Sequence, residues 1–331
     1  MEKRENILNK FKWWLYSLKI AVFKPSNKEK KETTMSAKRK EGIFLFLFLL
    51  FPMIQFLIFY VALNLNSILL AFKTYNKIDG TFSFAAFTNF VDVIRDIFVT
   101  KKLMIAVKNS AIQAGLSLFI MLPINIITAY VVFKKVPFAG FLKIILFMPN
   151  LLSSMVFVIN ARVLIHNAFP IIFNDPSMNL LFGEKTAFWT VLLFGAWMSF
   201  AGGLVIYLSA MCSISQDVLE YGELEPLSSF RELVSIIIPM IFPTVITYIV
   251  VGIGNFFINQ GYFFAFFGGN ANQYTSYDTL GYVFFTKVAG DEATYSQYTY
   301  AAAGGILFTL IVAPITVMTK SLLEKYGPSE D

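Results

Sequence analysis

GIFLFLFLLFPMIQFLIFYVALNLNSILLAF, residues 42–72, contains no Asp, Glu, Lys or Arg. It exceeds the roughly 20 apolar residues that cross a bilayer as a helix. Five further stretches are mostly apolar and close to that length or longer: 109–133, 138–165, 187–211, 234–257 and 301–318. The second holds Gln113, Gly115 and Asn125, and the fifth holds Pro239, Pro243 and Asn255. Such residues are tolerated at membrane depth where neighbouring helices or a wet cavity satisfy them, so these spans are expected to pack together. The fold class is therefore all-α, a polytopic membrane protein of about six transmembrane helices.

Charge placement gives the orientation. Twelve Lys and Arg precede the first span, from Lys3 to Lys40. With that end inside, Lys134, Lys135, Lys143, Arg231, Lys320 and Lys325 also fall on the cytoplasmic side, leaving nine of the 27 basic residues outside. The bias predicts cytoplasmic N- and C-termini. Ile7, Phe11, Trp14, Leu15, Leu18 and Val22 recur at helical spacing among lysines. That pattern predicts an amphipathic helix lying in the anionic membrane interface. The basic head is too long for a cleavable signal peptide. Three regions follow: a basic segment 1–41, a transmembrane domain 42–323 with a loop at 216–235, and a tail 324–331.

Composition excludes several chemistries. Only 15% of residues are charged and 56% are hydrophobic, unlike a soluble enzyme. The single cysteine, Cys212, cannot form an internal disulfide and reads as a small buried apolar residue. His166 is the only histidine, and no His, Cys or carboxylate cluster has metal-ligand spacing. No G-x-x-x-x-G-K-[ST] loop occurs, so ATP is not expected to bind this chain by that route. The spans carry almost no acids or bases, which argues against a membrane enzyme or a proton-coupled carrier.

The loop QDVLEYGELEPLSSFRELVS, residues 216–235, is acidic: Asp217, Glu220, Glu223, Glu225 and Glu232 stand against Arg231. Acid on a side that is otherwise basic suggests a basic protein partner. EYGELEPL, residues 220–227, with Pro239 thirteen residues after Pro226, resembles the E-A-A-x-x-D-G-A loop of permeases from binding-protein-dependent ABC importers. Glu220 matches the leading glutamate and Glu225 the aspartate. Tyr221 and Gly222 replace two alanines, and Pro226 stands in place of the glycine. LLAFKTYN (69–76), FTNF (87–90), FMPNLLSSMVF (147–157), DTLGYVFF (278–285) and YTYAAAGGILF (298–308) resemble the sugar-transporting branch, in its Gram-positive bacterial form.

That resemblance implies a cytoplasmic coupling helix seated on an ATPase, with Glu220, Tyr221, Gly222, Glu225, Pro226 and Pro239 as coupling residues. It implies a multi-pass subunit in the plasma membrane of a bacterium, importing a sugar or oligosaccharide. Its partners would be a second permease, two ATPase subunits and an extracellular solute-binding protein, with no nucleic acid. The chain would hold no cofactor and no metal of its own, ATP and Mg being bound by the partner ATPase.

A neutral sugar needs hydrogen-bonding side chains and aromatic faces in an apolar wall. Asn255 and Asn259, four apart on the end of the fifth span, with Tyr248 and with Trp197 of the fourth, are the candidates. The competing readings are an importer of another small solute, such as a glycerol phosphate or polyamine, and a secondary carrier. A charged solute would need compensating charge on the spans, and a carrier would show intramembrane acids or inverted repeats. The sequence displays none of these.

Overall fold

The computed structural model describes residues 34–328 apart from 152, 176–178, 182, 184–185, 225–226 and 271. The amphipathic stripe predicted within residues 1–33 lies outside them, as do Glu225 and Pro226. The chain divides into two units, Met1–Leu63 and Asn64–Asp331.

Helix α1 (Arg39–Ala71) contains the first predicted span. Phe44, Phe48, Phe51 and Phe59 are exposed along it, an apolar surface of the kind that faces lipid. Beyond it come an antiparallel hairpin, β1 (Lys73–Asn76) and β2 (Thr81–Phe84), and a short helix, α2 (Thr88–Phe98). Asn89 of α2 donates through Nδ2 to the carbonyls of Ala71 and Lys73, both at 2.8 Å, which pins that loop to its own start.

The second unit is built on α3 (Met104–Phe133) and α6 (Thr186–Cys212), whose contact is tight because one partner is a glycine. A Cβ on Gly203 would fall 2.4 Å from Asn125 Nδ2, so only hydrogen lets the two spans approach so closely. Leu122, Ile126, Leu204, Tyr207 and Met211 form a buried cluster there with Ile237, Ile241 and Val245.

The third predicted span, 138–165, is not one helix. It is α4 (Ala139–Leu151) followed by a break and a helix that reaches Ile172, α5 (Ser154–Ile172). Pro149 cannot donate a backbone hydrogen bond, and Ser153 is extended at ψ 127°, so the chain restarts at Ser154. The fifth predicted span is likewise two helices, α8 (Ser229–Met240) and α9 (Phe242–Gly254), bent by 74°. The cause is the proline pair. Pro243 has no N–H to donate to the Pro239 carbonyl, so the ladder lapses between them at Ile241. Between α6 and α8 sits α7 (Gln216–Leu224), which gives the first half of the acidic loop a helical form. A short helix α10 (Phe263–Phe267), an apolar helix α11 (Leu280–Ala289) and the long α12 (Tyr295–Tyr326) complete the chain. Counting the bent α8–α9 pair as one, the described residues contain up to six helices long and apolar enough to span a membrane. Cys212 is a correction: it ends α6 exposed rather than buried.

Candidate functional site

A cavity of about 520 Å3 opens between α3, α6, α9 and the turn after α9. Its polar walls are Ser110, Gln113 and Ser117 of α3, Ser199 of α6, Tyr248 of α9, and Asn255, Asn259 and Tyr262. Val191, Leu192, Leu116, Val251 and Phe263 provide apolar wall between them. Among the described residues, no Asp, Glu, Lys, Arg or His lines it. A site of this size, neutral and partly apolar with a few hydrogen-bonding groups, suits an uncharged polar molecule. On α3 the polar residues fall at positions 110, 113 and 117, one face of a helix. Residues 116–121 there form a wider π-helical turn, an irregularity often found at functional sites.

The structure brings together three of the four residues proposed for substrate contact. Tyr248, Asn255 and Asn259 all line the cavity, whereas Trp197 does not. Trp197 is 46% exposed on another face of α6 and packs edge-on against Phe157 and Phe194. Asn255 and Asn259 do not lie on a continuing helix, because α9 ends at Gly254. One hydrogen bond, from the Asn259 N–H to the Asn255 carbonyl at 2.9 Å, keeps the spacing of a turn. The Asn259 side chain also shapes the backbone, since its Oδ1 accepts the Gly261 N–H at 2.8 Å. Gly261 takes φ +57°, and a Cβ on it would come 3.1 Å from Gln113 Nε2, so glycine answers both a backbone and a space requirement. Gln113 and Ser117 are site residues that the sequence reading did not select, although their spacing on an apolar span was visible.

The second candidate region is the coupling segment. Asp217 and Glu220 are exposed on α7, and Asp217 lies in its first turn, where a carboxylate suits the helix dipole. Gly222 packs α7 onto α8, since a Cβ would lie 2.8 Å from Ile236 Cδ1. Ser228 caps α8 through the Arg231 N–H, and Pro239 sits near the bend. Glu232 differs from the exposed acids of α7. Its Oε2 accepts from Tyr130 OH and its Oε1 from Lys134 Nζ, each at 2.9 Å. Tyr221 belongs to α7, and Glu225 and Pro226 follow it outside the described residues.

No protein-family model matches the chain. It is 24% identical over 305 residues to Protein LplB of Bacillus subtilis (strain 168), covering 89% of this chain and 92% of that protein. It is 21% identical over 309 residues to YteP of the same organism, a "Polygalacturonan/rhamnogalacturonan transport system permease protein", covering 91% and 94%. It is also 21% identical over 295 residues to AmyD of Thermoanaerobacterium thermosulfurigenes, a "Probable starch degradation products transport system permease protein", covering 86% and 96%. Among solved structures, a bacterial ABC transporter involved in the import of the acidic polysaccharide alginate matches with a TM-score of 0.69 at 20% identity. That match spans 88% of this chain and 99% of the other. The chain is a homologue of ABC-transporter permeases and has their fold. The alginate transporter also matches, at the same TM-score, in a complex with its alginate pentasaccharide-bound periplasmic protein.

Proposed function

We propose that this chain is the transmembrane permease subunit of an ATP-driven importer, and that it passes an uncharged sugar or oligosaccharide delivered by an extracellular solute-binding protein. The cavity carries the reading: among the described residues it offers hydroxyl, amide and phenol groups and no charge. A glycerol phosphate or polyamine would enter it without a counter-ion, and burying an unpaired charge is costly. The chain would pair with a second permease, and two ATPase subunits would bind ATP and Mg and hydrolyse the nucleotide. Both termini would lie in the cytoplasm, with the chain in the plasma membrane.

The mechanism follows from the bends. Closure of the ATPase dimer would displace α7, which rests on α8 through Gly222 and Ile236. The break at Ile241 lets α8 swing without forcing α9 to follow as one rod. α9 carries Tyr248 and leads into Asn255, so this part of the cavity wall need not move rigidly with α8, and the contact of α8 with α3 would pass the displacement on. Glu220 would present its carboxylate to basic groups of the motor, with Glu225 and Pro226 completing the contact.

Replacing Asn255 by Leu in the complex purified with its ATPase is the test. Uptake of labelled neutral oligosaccharides into proteoliposomes is expected to fall about tenfold, as for losing a hydrogen bond at a polar site. The amount of ATPase bound is expected to stay the same. Unchanged uptake would remove the cavity from the solute's path.

A further inference from the structure

The five acids of the 216–235 loop all read alike in sequence, as charge awaiting a basic partner. The structure separates them. Asp217 and Glu220 are exposed, but Glu232 turns back into its own chain and is engaged there. Its two carboxylate oxygens take one donor each, Tyr130 OH and Lys134 Nζ. Those donors are one turn apart at the end of α3, so they present a single face. A carboxylate held through both oxygens is fixed in direction as well as in place.

The tie joins two parts of the machine. On one side is α8, against which α7 is packed. On the other is α3, whose distant half provides Ser110, Gln113 and Ser117 to the cavity. Ser229, one turn before Glu232 on α8, also hydrogen-bonds the Tyr130 phenol, but among the described residues only Glu232 engages both donors. From Tyr130 back to the cavity residues is about 20–30 Å at 1.5 Å per residue. A helix carries a displacement over that length far better than a loop. The bend at Ile241 loosens α8 from α9, which leaves the α8–α3 junction, with this tie as its polar part beside a hydrophobic contact, as the link between α7 and the cavity wall.

From this geometry we infer that Glu232 is a positioning residue that transmits movement of the coupling helix to the cavity wall through α3. The inference rests on reading the chain as an ATPase-driven permease. It assigns Glu232 to the inside of the machine and not to the motor contact.

The test uses the whole complex, purified with its ATPase and reconstituted with its binding protein, and reads solute transported per ATP hydrolysed. Glu232→Ala is expected to keep the ATPase bound and hydrolysing while solute per ATP falls about tenfold, the scale of a lost charged hydrogen bond. Lys134→Met is expected to show a smaller fall of the same kind. The exchange of Glu232→Lys with Lys134→Glu, which restores the pair with reversed charge, is expected to recover solute per ATP to within about threefold. Should Glu232→Ala not fold, Lys134→Met and the exchange decide the matter. Unchanged solute per ATP, no recovery in the exchange, or release of the ATPase by Glu232→Ala would each overturn the inference. Release would place Glu232 at the motor contact. If the wild-type chain brings down no ATPase at all, the permease reading itself fails.

Discussion

The two ends of the helical unit are joined in opposite ways. At the end bearing α11, the connecting loop is stitched to the spans by buried polar contacts. Asn109 Nδ2 donates to the carbonyls of Ser276 and Asp278, at 3.0 and 2.8 Å, and the Leu280 N–H donates to Ser110 Oγ at 2.8 Å. Tyr300 OH donates to Asp96 at 2.8 Å, and the buried Lys287 ammonium lies 4.9 Å from the ring centres of both Tyr274 and Tyr300. At the other end, α8 meets α3 through a small, partly exposed polar cluster centred on Glu232, and through a hydrophobic contact. A buried, fully bonded network holds one arrangement, whereas a small polar cluster near the surface can move. The stitched end therefore keeps one arrangement, whereas the polar part of the α8–α3 junction has room to move.

That contrast can be broken most severely at Gly281. A Cβ there would lie 2.5 Å from the Asn259 carbonyl carbon and 2.7 Å from the Gln260 nitrogen. Those are backbone atoms, so Gly281→Ala must displace the turn that rims the cavity. Overpacking of this kind costs about 1–3 kcal/mol. Both the unfolding temperature of the purified protein and solute uptake are expected to drop sharply. Next is Asn109→Ala, which strands two loop carbonyls and is expected to cost about 1–3 kcal/mol by thermal unfolding.

Asp278 sharpens the comparison through pH. Burial raises its pKa from 3.8 to about 6, against the hydrogen bonds from Thr275 and the attraction of Lys287, which lower it. The folded value lies above the unfolded one, so the fold prefers the protonated acid. This contribution is fully present below the unfolded value and is lost as pH rises through about 6. Wild-type protein is therefore expected to lose stability as pH rises from about 4 to about 6, and Asp278→Asn to lose less over that interval, as read by thermal melts at each pH. The smallest effect on stability belongs to Glu232→Gln, expected at below about 1 kcal/mol because the pair is partly exposed. Its deficit should emerge in coupling and not in melting. A large melting shift there would make the two ends alike and dissolve the contrast.

Much of this was legible in the residues, for identifiable reasons. Spans are long runs of one polarity, so their existence and number could be read directly. Bends could not be, because apolarity continues straight through residue 153 and Ile241 while the backbone does not. Prolines marked the neighbourhoods, but a bend needs a missing donor and a packed alternative together. Tyr248, Asn255 and Asn259 stood out as polar groups on apolar spans. Trp197 stood out equally and sits elsewhere, since hydropathy does not say which face of α6 a ring leaves from. The small residues Gly195, Ala196 and Ser199 mark the cavity face of α6 better. Glu232 was unreadable as a tie, since its partners lie 102 and 98 residues away in the chain.

Contact of α7 with a nucleotide-hydrolysing neighbour is the feature on which the proposed function depends. It is tested most directly by cross-linking a Glu220→Cys variant, in a Cys212→Ser background, to the ATPase in the assembled complex, using thiol-to-amine reagents of several lengths. A single adduct with the combined mass of the two chains is expected, formed only from the cytoplasmic side. Labelling of that position from the cell exterior, or absence of any adduct at every reagent length, would contradict it.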